Sequence, residues 1–266
     1  PLYGSSRSAE AVLGRFIFQE FFDTVVILRE NMRQNNDIEH QNVLQSMRDG
    51  SLQNHVDVLK QRVIKGGGDG ALRPNRGDIV TLYVDNKTKA AHNLLTAINL
   101  ARAGVRVYRC PAFITDKDGN EFKQEREQRW LQQVRTLPDN KTERLSLNLD
   151  IAVGMPALIV QNVAVSSALC NGTRGRIWGI GFPPETTFKK IKVDAMDGYS
   201  AATFEEASHV PKYVFIKVKD PKFRRFPGLP RGVAPIPATT VHDIKTGVYP
   251  ITVTQVPITT CFAMTG

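Results

Sequence analysis

Apolar positions in this chain recur first at helical and then at strand spacing, and the change falls near residue 145. Over 8–22 (SAEAVLGRFIFQEFF), Val12, Leu13, Phe16, Ile17 and Phe21 lie three and four apart, which predicts an amphipathic helix facing a core. The run Val25-Val26-Ile27-Leu28 predicts a strand over 24–28 that stops at a polar turn centred on Arg33. A second helix follows. Asn36 with Glu39 has the capping-box form, Val43, Leu44 and Met47 share one face, and Gly50 sits just past the end. Leu52, Val56, Leu59 and Val63 predict a third helix behind a Ser51 cap. It ends in the glycine cluster 66–70, which has the form GxGxxA but follows a helix and precedes none, so it reads as a connector. Residues 77–84 (GDIVTLYV) read as a strand and Asp85 as the cap of a helix carrying Leu94, Leu95, Ile98 and Ala101. Gly104 closes that helix, and 105–115 reads as a returning strand. Strand, helix and strand predict a βαβ unit with a parallel sheet.

Residues 117–135 are charged and without period, as in a solvated insertion or linker helix. From 145 onward LSLNLDIAV, MPALIVQNV, RGRIWGIGF, FKKIKVDAM and YVFIKVKD are short β-rich runs separated by turn formers, which predicts a small antiparallel barrel or sandwich. Residues 221–237 are too proline-rich for a core strand and read as an extended loop, and 248–264 returns to β-branched texture. The expected order is an α/β layer domain over 1–116, a charged linker or insertion over 117–144, and a β-barrel over 145–220. A proline-rich loop over 221–247 and a return to the first domain over 248–266 complete it.

Composition narrows the function classes. With 41% hydrophobic and 23% charged residues in 266, the chain is globular in character. No run approaches the roughly 20 apolar residues of a membrane span, and the first ten residues contain no signal-peptide core, so no membrane partner is expected. Beginning at Pro1 and ending in FAMTG, the chain is expected to be a fragment of something longer. A net charge of +9 favours an anionic partner, nucleic acid foremost, although Lys and Arg are scattered rather than striped. Cys110, Cys170 and Cys261 are too dispersed for a disulfide framework and suit a reducing compartment. No Cys/His pair has metal-ligand spacing, and no metal site is expected. Asp116, Asp118 and Glu121 read either as a metal cluster or, in preference, as a hydrophilic turn tip. There is no G-x-x-x-x-G-K-[ST], indeed no Gly-Lys dipeptide, and no G-x-S-x-G or H-E-x-x-H. By its own residues the chain reads as half of a catalyst.

The order of motifs resembles a known family. LRENMRQNNDIEHQNVLQSMRDG resembles motif IV of the superfamily-one helicases of the PIF and RecD-like branch, including those carried by Helitron transposons. VGMPALIVQNV followed by ALCNGTRGRIWGI resembles the signature of the Src-homology-type barrel inserted in their second motor domain, and QVPITTCFAMTG resembles the start of motif V. The opening PLY resembles residues shortly after motif III. The resemblance implies an α/β fold, a partial RecA-like parallel-sheet motor domain with an inserted small antiparallel β-barrel of the Src-homology type. It implies part of an ATP-dependent DNA helicase, an ATP hydrolase that translocates on single-stranded DNA in the nucleus or mitochondrion, with roles in repair, recombination and telomere maintenance. ATP and Mg2+ would be its cofactors, held mostly by the missing first motor domain of the same polypeptide, and the fragment alone is expected to be inactive. The rival readings are a non-catalytic single-stranded nucleic-acid binding module or degenerate transposon remnant, and a protein-interaction barrel fused to an unrelated α/β domain.

Residue by residue, the resemblance places Arg33 at the motif IV arginine that reaches the γ-phosphate, with Gln34 beside it as a further nucleotide contact or a turn residue. A bare surface arginine in a βα loop is the alternative. Asn86 stands near the family's Thr-Asn pair and is either a phosphate contact or a helix cap. Asn171, Gly172 and Thr173 form the barrel's NGT turn, a DNA contact or a purely structural turn. Thr265 matches the motif V threonine expected to bond a DNA phosphate. Lys189, Lys190, Lys192, Arg224, Arg225 and Arg231 are backbone-contact candidates or a solvated basic face, and Trp178 and Phe182 either stack on bases or fill the barrel core.

Overall fold

The computed structural model of the chain describes residues 8–24, 26, 37–61, 80–218, 226–246 and 249–265. Arg33, Gln34, the glycine cluster, Arg224 and Arg225 lie outside the described residues. The chain divides into two compact units, Pro1–Leu72 and Arg73–Gly266.

The first unit is helical where it is described. Helix α1 (Ala9–Phe21) begins at Ser8, whose side chain accepts the Ala11 N–H at 3.2 Å. Its expected core face is not met, because Val12, Leu13, Phe16, Ile17 and Phe21 are exposed and Ala11 alone in this helix is buried. Helix α2 (Ile38–Asp49) is capped one residue later than the Asn36 box expected, by Asp37, which accepts the His40 N–H at 2.9 Å. Gly50 ends it at φ +74°, a left-handed conformation that glycine adopts without a Cβ clash. A 3-10 turn over Leu52–His55 leads into α3 (Val56–Gln61), and Ser51 makes no side-chain cap bond. Of the expected strand over 24–28, the described residues Thr24 and Val26 belong to no strand.

The second unit is mixed α/β. Strand β1 (Thr81–Tyr83) precedes α4 (Asn86–Arg102), whose cap is the expected Asp85, and Gly104 follows at φ +86°. The run 105–115 then breaks at Ala112 into β2 (Tyr108–Pro111) and β3 (Phe113–Asp116). Helix α5 (Glu125–Val134) buries Leu131 and Val134, so the charged linker carries an apolar edge. Among the described residues eleven more strands follow: β4 (Asn148–Ile151), β5 (Pro156–Ile159), β6 (Arg174–Gly181), β7 (Phe188–Asp194), β8 (Ala201–Ala207), β9 (Tyr213–Val218), β10 (Val233–Pro237), β11 (Thr239–Lys245), β12 (Pro250–Gln255), β13 (Ile258–Thr260) and β14 (Ala263–Thr265).

Their pairing corrects two expectations. The βαβ unit is not formed, because β1 pairs in parallel with β14 while β2 lies in another sheet, and among the described residues the fully parallel sheet has only these two strands. Nor is there a closed barrel among the described residues. The five runs are shared between an antiparallel sheet of order β10-β9-β6-β5-β13 and a sheet of order β4-β2-β8-β7, in which β2 and β8 run parallel. Short alternating strands state that one face is buried but not which neighbour covers it. The proline-rich stretch also ends in a strand, contrary to its reading as loop. Pro235 and Pro237 are tolerated because β10 is an edge, where a missing N–H costs no ladder bond, and Val233, Ala234 and Ile236 are buried.

Residues 250–265 tie this unit together. Within them β12 joins the sheet β11-β12-β3, β13 closes the five-stranded sheet against β5, and β14 joins β1. One core packs α4 with the five- and four-stranded sheets, and a second packs α5 with β3 and β12 through Ile114, Leu131, Val134, Ile251 and Val253. Gly175 marks a close approach of β6 to β9. A Cβ there would stand 2.6 Å from the Lys217 carbonyl oxygen and against the Ile216 side chain. Gly175→Ala is therefore expected to cost about 2–3 kcal/mol by forcing the ladder apart, and a urea melt of the full chain reads it; a change below about 0.5 kcal/mol would show that the strand yields freely.

Candidate nucleic-acid interface

At the carboxyl end of the parallel pair, the chain turns from β1 into α4. Tyr83 stands opposite Thr265 in register, so the turn of Asp85 and Asn86 lies beside the end of β14 although about 180 residues separate them in sequence. The carboxyl ends of parallel strands are where open α/β sheets hold ligands, since the following helices present free N–H groups there. Asp85 accepts the Thr88 N–H at 2.7 Å and the Thr88 hydroxyl at 2.8 Å, and these bonds hold its carboxyl below its usual range. Capping thus falls to Asp85, and Asn86 becomes the first helical residue.

One buried side chain of α4 bonds the backbone at the start of strand β14. Asn93 of α4 is buried, its Oδ1 accepts the Ala263 N–H at 2.8 Å, and its Nδ2 donates to the Thr260 and Ala263 carbonyls at 3.3 Å each. Tyr83 in turn bonds His92 at 3.0 Å, which joins β1 to the same helix. Burial lowers the His92 pKa, favouring its neutral form.

Asn86, Lys87, Lys89, Arg109 and Arg135 line a cavity of about 570 Å³ between the start of α4 and the segment after α5. Lys89 is paired with Asp139 at 2.9 Å. Arg109 and Asp150 stand directly opposite on β2 and β4 and form two bonds of 2.8 Å, with the Phe204 ring 5.6 Å below the guanidinium. Arg135 donates from Nη2 to the Ala112 carbonyl at 3.2 Å, while its buried Nη1 has no hydrogen-bond partner among the described residues. Burial pushes the Arg135 pKa down from its ordinary value. Asp139 and Asp150 are matched to Lys89 and Arg109, Glu206 acts electrostatically on Arg135, and Lys87 acts on Asp85, so each cation here has an acidic neighbour.

The NGT turn approaches the same strand from the other side. Arg174, the residue after it, reaches Met264 Sδ at 3.5 Å. Within the turn Gly172 takes φ +94° with open space around its missing Cβ, so conformation rather than room requires glycine. The Thr173 hydroxyl donates to the Ala168 carbonyl at 3.0 Å and accepts the Cys170 N–H at 3.2 Å, and the Asn171 N–H donates to Asn162 Oδ1 at 3.0 Å.

The chain is similar to solved structures of Pif1 helicases. The Candida albicans Pif1 helicase shares 16% identity over 93% of this chain and 48% of that one, with a TM-score of 0.48. Bacteroides sp Pif1 in complex with ADP-AlF4 shares 15% over 95% and 48%, with a TM-score of 0.48. Bacteroides Pif1 bound to ssDNA shares 15% over 96% and 48%, with a TM-score of 0.44. The chain spans about half the length of these structures. No family model and no curated protein matches it.

Of the remaining sequence candidates, Lys189 and Lys190 on β7 face Glu206 and Glu205 across the ladder, so charge on that edge is locally balanced. Lys192 pairs with Asp194 at 3.4 Å. Phe182 packs with Tyr108 and Phe188 at 5.1–5.4 Å, a core role, whereas Trp178 is 48% exposed. Asp116 accepts the N–H groups of Asp118 and Asn120 at 2.9 and 2.8 Å, which makes the acidic run a turn tip. Arg135 and Asn93 escaped sequence reading. The segment holding Arg135 has no period to single it out, and Asn93 is one of several polar residues on its helix, beside His92 and Thr96.

Proposed function

We propose that this chain is the second motor half of an ATP-dependent DNA helicase of the PIF and Helitron type, a partial RecA-like domain whose inserted β-rich segment resembles the Src-homology barrel. One observation supports it above others. Asn86, which the motif resemblance offers as a phosphate contact or a helix cap, and Thr265, which it matches to the motif V threonine, lie at the same end of one parallel strand pair. In the intact enzyme, single-stranded DNA would cross this end, with Asn86 and the motif V loop holding its backbone and Lys87 and Arg135 supplying charge.

The described residues offer no phosphate cradle for a nucleotide, and the chain has no Gly-Lys dipeptide, so the proposed contact to ATP rests on Arg33 and Gln34, with Mg2+ held by a P-loop half. The test is turnover. The 266-residue chain alone is expected to show no magnesium-dependent ATP hydrolysis, and the polypeptide that also carries a P-loop half is expected to show DNA-stimulated hydrolysis. Turnover by the chain alone, or none in the longer polypeptide, would overturn the reading.

A further inference from the structure

The five-stranded sheet has a second face, turned away from the core. On β9, Val214, Ile216 and Val218 are buried while Tyr213, Phe215 and Lys217 point the other way. On β6, Ile177 faces the core, and the irregularity between Ile177 and Gly179 turns Trp178 outward. The Trp178 ring meets Phe215 edge-on at 6.2 Å, Phe215 lies 6.3 Å from Tyr213, and Lys212 Nζ stands 5.8 Å over the Tyr213 ring. Gly179 and Gly181 stand opposite Phe215 and Tyr213, and a Cβ at either would come within 3.7 Å of the Phe215 ring. The rings therefore lie across bare backbone, leaving flat aromatic surface at Trp178, 48% exposed, and Tyr213, 37% exposed.

Charge on this sheet is one-sided. Strands β5, β6, β9, β10 and β13 contain Arg174, Arg176 and Lys217 but not one of the chain's 26 acidic residues. A surface for an apolar protein partner has no need to exclude acids from five consecutive strands, whereas a polyanion with exposed π-faces needs both features. We propose that this face is a stacking platform for single-stranded nucleic acid. Bases lie on Trp178 and Tyr213, and the backbone phosphates pass Arg174 and Lys217. Stacking is tolerant of sequence because every base presents a π-face, and the cations follow the phosphates. The platform goes beyond the motor reading, since it needs neither ATP nor Arg33.

The test uses the full chain and a fluorescein-labelled oligothymidylate, with oligouridylate to compare RNA. Trp130 and Trp178 are the only tryptophans, and Trp130 is packed between Phe122 and Tyr249, so in a Trp130→Phe background the emission reports Trp178. Oligonucleotide is expected to quench that emission. Trp178→Ala is expected to weaken binding about tenfold with the salt dependence unchanged, and Trp178→Phe to restore most of it. Lys217→Gln is expected to weaken binding and to reduce the log–log salt slope by about 0.7. An unquenched Trp178 at saturation, an unchanged affinity of Trp178→Ala, or absence of binding would overturn the platform. So would binding of a proline-rich peptide in place of the oligonucleotide, which would assign the face to a protein ligand. Each of these leaves the ATP-hydrolysis test of the motor reading intact, and failure of that test leaves Trp178 quenching unaffected.

Discussion

Asn93→Ala is expected to destabilise the Arg73–Gly266 unit by about 3–5 kcal/mol. The side chain is buried and makes three hydrogen bonds to the backbone of residues 260 and 263. Alanine would leave the Ala263 N–H without its acceptor and remove one donor from each carbonyl. Each orphaned buried group costs about 1–3 kcal/mol. Strand β14 is three residues long and, among the described residues, pairs with β1 alone. A domain's whole stability is about 5–15 kcal/mol, so the loss should be plain in a urea melt, with the Ala263 amide exchanging early in hydrogen exchange. A shift below about 1 kcal/mol would show that β14 is fixed by its ladder and core contacts instead. Thr265 depends on the same bonds for its place beside the Asp85-Asn86 turn.

In the polypeptide that carries the P-loop half, Arg33→Ala should reduce ATP hydrolysis by about a thousandfold or more while DNA binding changes little. An arginine that reaches transferring phosphate stabilises charge that develops only in the transition state, and such fingers contribute roughly 10³–10⁵ in rate. Arg33→Lys should not rescue hydrolysis, because an ammonium cannot make the bidentate bonds of a guanidinium. Steady-state hydrolysis with saturating single-stranded DNA measures the first effect, and anisotropy with labelled DNA measures the second. Unchanged hydrolysis would return Arg33 to the status of a surface residue in a βα loop.

The sequence by itself determined the local elements whose causes are local. Asp85 caps α4, Gly50 and Gly104 end helices in left-handed conformations, and the runs after 145 are strands, because propensity and capping act within a few residues. Motif resemblance singled out Asn86 and Thr265 as candidates, though nothing local stated that their segments would lie at one end of a strand pair. The tertiary structure alone decided partnership. It paired β1 with β14 across about 180 residues, gave β2 to another sheet, split the supposed barrel between two sheets and turned a proline-rich loop into an edge strand. Period-two alternation reports that a face is buried, but which strand covers it depends on long-range packing that no window of residues contains. The same limit applies to Trp178 and Phe182, alike in sequence texture. One lies bare on an outer face and the other is locked among Tyr108 and Phe188, and only the assembled sheets distinguish them.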